Sequence, residues 1–267
     1  MSLKTDLRIT LVQTSLVWEN RDANLAMLSK KLDGIAEQTD LIVLPEMFTT
    51  GFSMKPENLA EPANGPALEW MRKTAAQKKC TITGSVIAKE NGNYFNRLYW
   101  VNASGEVQQY DKRHLFRMAG EHNHYTGGTK NITVELKGWR IRPQICYDLR
   151  FPVWSRNAWT KNLEAEYDVL IYVANWPERR SHPWKSLLVA RAIENQAYVI
   201  GVNRVGNDGN AISHSGDSAA IDFKGELLAN MIPGKEEITT CSLSYAALED
   251  FRKIFPVGMD ADEFKIM

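Results

Sequence analysis

Short apolar runs of strand length alternate along this chain with stretches whose apolar residues recur at helical spacing. That alternation restricts the fold more than any other feature. Leu7 to Val12 reads as a strand, and from Asn24 to Gln38 the residues Leu25, Leu28, Leu32, Ile35 and Ala36 fall on one helical face. Asp40 to Pro45 is a buried-strand run stopped by its proline. Pro66 suits the first position of a helix reaching Lys79, with Leu68, Met71 and Ala75 turned inward. Thr81 to Ala88 and Phe95 to Asn102 read as strands joined through Asn91-Gly92-Asn93, a sequence fit for a tight antiparallel turn. Trp139 to Cys146 is strand-like, although Pro143 is out of place in a central strand. Val169 to Ala174 and Tyr198 to Val202 are further buried strands, separated by a helix from Trp184 to Gln196 that Pro183 introduces. Ser218 to Asp222 and Glu226 to Leu228 pair around Phe223-Lys224-Gly225. Continuous apolar strands between helices predict the α/β class, with sheets covered by helices and a few hairpins added.

Composition removes several classes of function. The 267 residues carry 32 Lys plus Arg against 32 Asp plus Glu, without the basic excess of a nucleic-acid binder. At 44% apolar and 24% charged the chain is ordinary for a globular protein, and no run approaches the ~20 apolar residues of a membrane span. No linker-like segment divides it, so one domain over residues 1–267 is expected. The N-terminus has no apolar secretory core. Three widely spaced cysteines, Cys80, Cys146 and Cys241, fit a reducing cytoplasmic setting rather than a disulfide framework.

In open α/β sheets, ligands gather beyond the carboxyl ends of the strands. Those ends deliver Pro45-Glu46, Cys146-Tyr147-Asp148, Asn175-Trp176-Pro177 and Asn203-Arg204. Cys146 is the most telling, because a thiol at a strand-to-helix turn lies near backbone N–H groups that would favour the thiolate. Cys80 and Cys241 sit in or beside apolar runs and read as core. A cysteine nucleophile needs a proton acceptor and donor. Glu46, behind the buried run Leu41 to Pro45, is placed for that work. Lys112, within Tyr110-Asp111-Lys112-Arg113-His114, could supply positive charge where an oxyanion develops.

Glu46, Lys112 and Cys146 follow one another at separations of 66 and 34 positions. With Leu44-Pro45-Glu46, Tyr110-Asp111-Lys112-Arg113-His114-Leu115-Phe116 before Gly120-Glu121, and Ile145-Cys146-Tyr147-Asp148-Leu149-Arg150-Phe151-Pro152, the chain resembles the nitrilase (carbon–nitrogen hydrolase) superfamily. Val173-Ala174-Asn175-Trp176-Pro177, Arg191 to Asn195, Asn203 to Gly209 and His214 to Ser218 also fit, so the resemblance runs over nearly the whole sequence. It implies a four-layer α-β-β-α sandwich that forms a homodimer through helical faces. It also implies a Glu46–Lys112–Cys146 triad that works without metal or organic cofactor. In that mechanism Cys146 attacks an amide carbon, Glu46 moves the protons, and Lys112 with the backbone N–H of Tyr147 stabilises the oxyanion. Glu121 matches a second glutamate that orients the lysine and substrate.

Gln144 to Pro152 and Gly120 to Gly128 look most like the omega-amidase branch, which hydrolyses the terminal amide of short α-keto acid monoamides such as 2-oxoglutaramate and 2-oxosuccinamate. Phe48, Phe116 and Trp176 are candidate pocket walls, and Arg150, Arg117, Arg179 and Lys185 are candidate partners for the substrate carboxylate. Gly120 to Gly128 is a place for a loop over the pocket. Another amidase of the superfamily or an N-carbamoyl amide hydrolase would share the triad. A metal-dependent hydrolase built on His122 and His124, with Glu121 and His114 nearby, is the alternative from a different class. Activity should therefore survive EDTA; loss of turnover restored by zinc would favour the metal centre instead.

Overall fold

The computed structural model describes residues 4–160, 162 and 164–263. Strand β1 (Leu7–Gln13) sends Leu7, Ile9 and Leu11 to one side and Val12 to the other. Strand β2 (Leu41–Val43), parallel to it, does the same with Leu41 and Val43 against Ile42. Both faces of this sheet are thus apolar, as a sheet covered on both sides requires. One face meets a second sheet and the other meets helices α1 (Arg21–Asp33) and α3 (Pro66–Lys78). Between these helices lie the short α2 (Pro56–Leu59) and β3 (Glu61–Pro62).

The first sheet continues through β4 (Thr81–Glu90), β5 (Asn93–Val101) and β6 (Val107–Asp111). The second contains β7 (Val134–Leu136), β8 (Trp139–Ile145), β9 (Val169–Ala174) and β10 (Tyr198–Asn203), with α4 (Pro152–Ser155) and α5 (Ser181–Asn195) in the connections. A small ribbon of β11 (Val205–Asn207) and β12 (Ser213–Ser215) follows. The chain ends with β13 (Ala219–Ile221), β14 (Leu227–Asn230), β15 (Glu237–Leu243) and α6 (Tyr245–Ile254). The strand order is β15-β1-β2-β4-β5-β6, with β3 beside β4, in one sheet and β14-β13-β10-β9-β8-β7 in the other. The expected α-β-β-α sandwich is the observed architecture, and α5 and α6 pack on the outer face of the second sheet. Gly201 of β10 permits that packing, since an added Cβ would stand 2.5 Å from Leu188 Cδ1 of α5.

Several boundaries move for local reasons. Helix α1 begins at Arg21 rather than Asn24 because Asn20 caps it, its side chain accepting from Ala23 N–H at 3.1 Å, and it stops at Gly34 rather than Gln38. Helix α5 starts at Ser181, with Pro183 inside its first turn. Asn91 and Gly92 both take positive φ (48° and 81°), so the β4–β5 turn has two central residues. Pro143 does sit in β8, in the interior of the sheet. Arg140, three residues earlier, directs its carbonyl toward β9, accepting from Asp168 N–H at 2.7 Å, so the odd-numbered residues face β7. The pairing with β7 ends at Ile141, and the N–H that Pro143 lacks therefore has no ladder partner to lose.

The strand starts opposite the site are pinned by one buried carboxylate. Asp168 accepts from Arg252 Nη1 of α6 at 2.7 Å and from Arg140 N–H at 3.0 Å, with Lys4 Nζ at 3.7 Å. Arg252 also donates to the carbonyls of Tyr167 and Gln196, both at 2.9 Å. Burial alone would raise the Asp168 pKa, but Arg252, Arg140 and Lys4 outweigh it and hold the group below the ordinary aspartate value. A depressed folded value means this carboxylate stabilises the fold above about pH 4 and stops doing so as pH falls through the folded value. Asp168→Ala should cost about 3–5 kcal/mol in urea unfolding at pH 7, because it leaves Arg252 buried and unpaired. The deficit should shrink below about pH 4; a variant as stable as the parent at pH 7 would refute the pinning role.

Candidate active site

At the carboxyl end of β2 the chain turns sharply. Met47 takes φ +43° and its N–H donates to Ser85 Oγ at 2.9 Å, while Phe48 N–H donates to Ser85 O at 3.0 Å. This fastening to β4 leaves Glu46 fully buried and facing the C-terminal end of the second sheet. Lys112 follows β6, its N–H held by Asn96 O at 3.0 Å and its carbonyl by Gly128 N–H at 2.9 Å. Gly128 must be glycine for that approach, because a Cβ there would lie 2.1 Å from Asp111 O. Cys146 follows β8 with φ +43°, a conformation that strains a non-glycine residue, and opens a short 3-10 helix over Cys146–Arg150.

Three charged side chains meet in this buried interior. Lys112 Nζ lies 2.9 Å from Glu46 Oε1, and 3.1 and 3.0 Å from the two oxygens of Glu121. Glu46 Oε1 also accepts from Asn96 Nδ2 at 2.7 Å, and Oε2 from Asn175 N–H at 2.7 Å. Asn96 Nδ2 reaches Glu121 Oε1 at 3.4 Å. Burial opposes the Lys112 ammonium, yet Glu121 and Glu46 overcome it and keep the lysine charged well above its usual range. Burial raises the Glu121 pKa, with Lys112 opposing. Burial and the neighbouring Glu46 carboxylate push the Cys146 thiol well above its ordinary value despite Lys112. Burial and the nearby Glu46 charge thus favour the thiol over the thiolate expected at a strand-to-helix turn; desolvation outweighs the N–H groups. Tyr147 is second in the short helix, so its N–H has no intrahelical carbonyl to meet and is free for a ligand.

Beside Cys146 lies a cavity of about 150 Å³ lined by Phe52, Phe116, Tyr147 and Trp176, with Arg150, Arg179, Arg180 and Asp208 among its polar residues. Arg150 lies over Trp176 at 4.9 Å and Arg180 over Phe116 at 5.1 Å. Among the described residues none of the three guanidiniums has a carboxylate within ion-pair reach. Arg180 has its pKa lowered by burial and by Arg179 and Arg150. His214 closes another side, held neutral with a pKa lowered to about 4 by burial and Arg204.

Most residues expected at the site converge there: Glu46, Lys112, Cys146, Glu121, Tyr147, Phe116, Trp176 and Arg150. Phe48 does not. It is fully buried on the helical side of the first sheet, its ring 5.8 Å from Trp70, because the turn after Glu46 swings it beneath β4. Arg117 points to solvent and Lys185 pairs with Asp217 at 3.6 Å, so neither lines the cavity. His122 and His124 are exposed while Glu121 is turned inward onto Lys112, so that trio does not converge. Among the described residues no three His, Cys, Asp or Glu side chains are grouped as metal ligands. Residues 120–128 are strapped down through Thr126 N–H to Tyr94 O at 2.8 Å and Tyr125 Oη to Ser53 O at 2.5 Å. Asn175, delivered by a strand end as the sequence indicates, is joined by Asn96, Phe52 and Arg180, which the sequence does not single out.

Residues 8–253 match the carbon-nitrogen hydrolase family. The chain belongs to that family. This carbon–nitrogen hydrolase is 48% identical to the Omega-amidase YafV of Escherichia coli K12 over 260 residues, covering 97% of this chain and 98% of the relative. It is 33% identical to the 2-oxoglutaramate amidase of Bacillus subtilis, covering 94% and 96%. The crystal structure of XC1258 from Xanthomonas campestris, a CN-hydrolase superfamily protein with an arsenic adduct in its active site, superposes with a TM-score of 0.95 at 45% identity over 98% of this chain and 99% of that one. The carbon–nitrogen hydrolase is thus an amidase of the nitrilase superfamily, most similar to its omega-amidase branch. Among the described residues no helix is long and apolar enough to cross a membrane.

Proposed function

We propose that this enzyme is an omega-amidase, releasing ammonia from the terminal amide of short α-keto acid monoamides such as 2-oxoglutaramate and 2-oxosuccinamate through a thioester on Cys146. The observation that carries the reading is a buried cysteine on a strained turn, near a buried glutamate that is itself paired with a lysine, beside a pocket holding unpaired guanidiniums. Glu46 takes the thiol proton as sulfur attacks the amide carbon, so the thiolate forms only with the new bond. The carbonyl electrons move to oxygen, where Lys112 Nζ and the Tyr147 N–H stabilise the oxyanion. Glu46 then gives its proton to the departing nitrogen, which leaves as ammonia. Water, deprotonated by Glu46, attacks the thioester, and collapse of the second oxyanion expels the sulfur, which regains its proton. Glu121 holds Lys112 in place throughout, and no metal or organic cofactor enters. Arg150, Arg179 and Arg180 supply the counter-charge for the substrate carboxylate, a role that supports a keto acid monoamide over a neutral aliphatic amide.

Ammonia release should be measured on 2-oxoglutaramate, 2-oxosuccinamate, a plain aliphatic amide, an N-carbamoyl amino acid and a nitrile. The keto acid monoamides should be turned over best. Cys146→Ala should lower kcat by roughly 10⁴-fold or more with the fold retained, and Arg180→Ala should raise KM by about tenfold, the worth of one charge-assisted hydrogen bond. Preference for the carbamoyl compound or the nitrile, or turnover by Cys146→Ala, would sink the assignment.

The three free cysteines support a reducing, cytoplasmic setting, and residues 1–267 are proposed to form one domain that pairs as a homodimer. Apolar side chains stand exposed around the C-terminal ends of α5 and α6: Val153 (55%), Ile193 (51%), Ile254 (83%) and Phe255 (57%). They are drawn together by Arg156 Nη1 donating to Glu194 O at 2.6 Å and Gln196 Nε2 to Phe255 O at 2.6 Å. Sedimentation equilibrium should give twice the chain mass and Ile254→Arg should shift it toward one; a monomeric parent protein would refute the dimer.

A further inference from the structure

One buried carboxylate beside the site has no part in the reaction just described. Asp148 is two residues past the nucleophile and fully buried. Its Oδ2 accepts from Ile145 N–H at 3.1 Å and from Tyr110 Oη at 2.7 Å. Its Oδ1 accepts from His114 N–H at 3.0 Å, with the His114 Nδ1 at 2.8 Å from the same oxygen. These partners come from two separate stretches of chain. Ile145 directly precedes Cys146, while Tyr110 and His114 flank Lys112 by two residues on either side. Four bonds at one carboxylate thus join the segment carrying the nucleophile to the segment carrying the cation.

We propose that Asp148 is a positioning residue of the amide-hydrolysing site, fastening the Lys112 loop to the Cys146 turn so that ammonium and sulfur keep one spacing. Two further observations carry this. Cys146 sits at φ +43°, a strained conformation that persists only where its surroundings over-determine it, and the Ile145 N–H bond to Asp148 is the tie that closes that turn. The partners of Asp148 are themselves locked. Tyr110 Oη accepts from Trp154 Nε1 at 2.9 Å and from Arg113 N–H at 3.3 Å. The His114 ring stacks on Phe151 with centroids 3.7 Å apart and planes 8° from parallel, and meets Trp154 edge-on with centroids 6.0 Å apart. Burial and Asp148 keep Tyr110 far above its usual pKa, so it remains a phenol that can donate. The network is closed, and a closed buried network fixes geometry more tightly than any one of its bonds.

The proposal rests on Lys112 and Cys146 acting as described above, yet turnover of any amide by the parent protein is a sufficient reference. Failure of the keto acid preference would therefore leave this test intact. Asp148→Asn keeps the side-chain volume but replaces an acceptor oxygen with an amide donor facing other donors. It should lower kcat by about 100-fold with KM within about twofold, since displacing reacting groups by an ångström costs about that much. Tyr110→Phe removes one bond and should lower kcat by a smaller factor, on the order of tenfold, again without moving KM. A role in fold stability alone would lower the melting temperature and leave kcat of the folded enzyme unchanged. Both variants are therefore assayed well below their melting temperatures, with kcat expressed per folded molecule. Should Asp148→Asn fail to fold, Tyr110→Phe and His114→Ala decide the matter. A folded Asp148→Asn with parental kcat, or parental kcat in both of the latter two, would overturn the proposal.

Discussion

The contact on which the rest of the site depends is the buried meeting of the Lys112 ammonium with the Glu46 and Glu121 carboxylates. Neither sign could be buried alone, because an unpaired charge in a dry interior costs several kcal/mol. Together they form a cluster with one excess negative charge. That excess adds to burial, the larger cause, in pushing the pKa of the Cys146 thiol up. Proton transfer then becomes part of the attack rather than a preliminary to it, which gives the Glu46–sulfur geometry its importance.

The scaffold holds these groups by short ties rather than by the helices. Glu46, Lys112 and Cys146 each leave the end of a strand, and each turn is fastened to a neighbouring strand or loop: Met47 to Ser85, Lys112 to Asn96 and Gly128, Ile145 to Asp148. Asn96 binds at both levels, its carbonyl holding the Lys112 backbone while its side chain spans the two carboxylates. The opposite strand ends are pinned independently through Asp168 and Arg252.

Much of this was legible in the sequence. The strands in β1, β2, β4, β5, β8, β9 and β10 announced themselves as apolar runs, and residues just past several of them build the site. What escaped did so for identifiable reasons. Strand β15 reads Glu-Ile-Thr-Thr-Cys-Ser-Leu and is half-buried at a sheet edge, so it shows no strong apolar run, and α6 behind it was missed with it. Asn96 lies inside a strand, where its type and position carry no chemical hint until the fold brings Glu46 and Glu121 beside it. Phe48 was misassigned because adjacency to Glu46 in sequence says nothing about which side of a sheet a sharp turn will choose. The ionisation of Cys146 is not legible at all, since desolvation depends on neighbours that only the fold supplies.

The excess negative charge of the inner cluster also has a bearing on how a turnover ends. In the proposed reaction the group entering beside Glu46 and Glu121 is a neutral amide, whereas the group left there is a carboxylic acid that becomes a carboxylate once its proton passes to solvent. Hydrolysis therefore creates a third anion against two buried ones, with only Lys112 to share among them. The chemistry writes its own eviction notice: the charge that marks the reaction as complete is the charge that the floor of the pocket rejects.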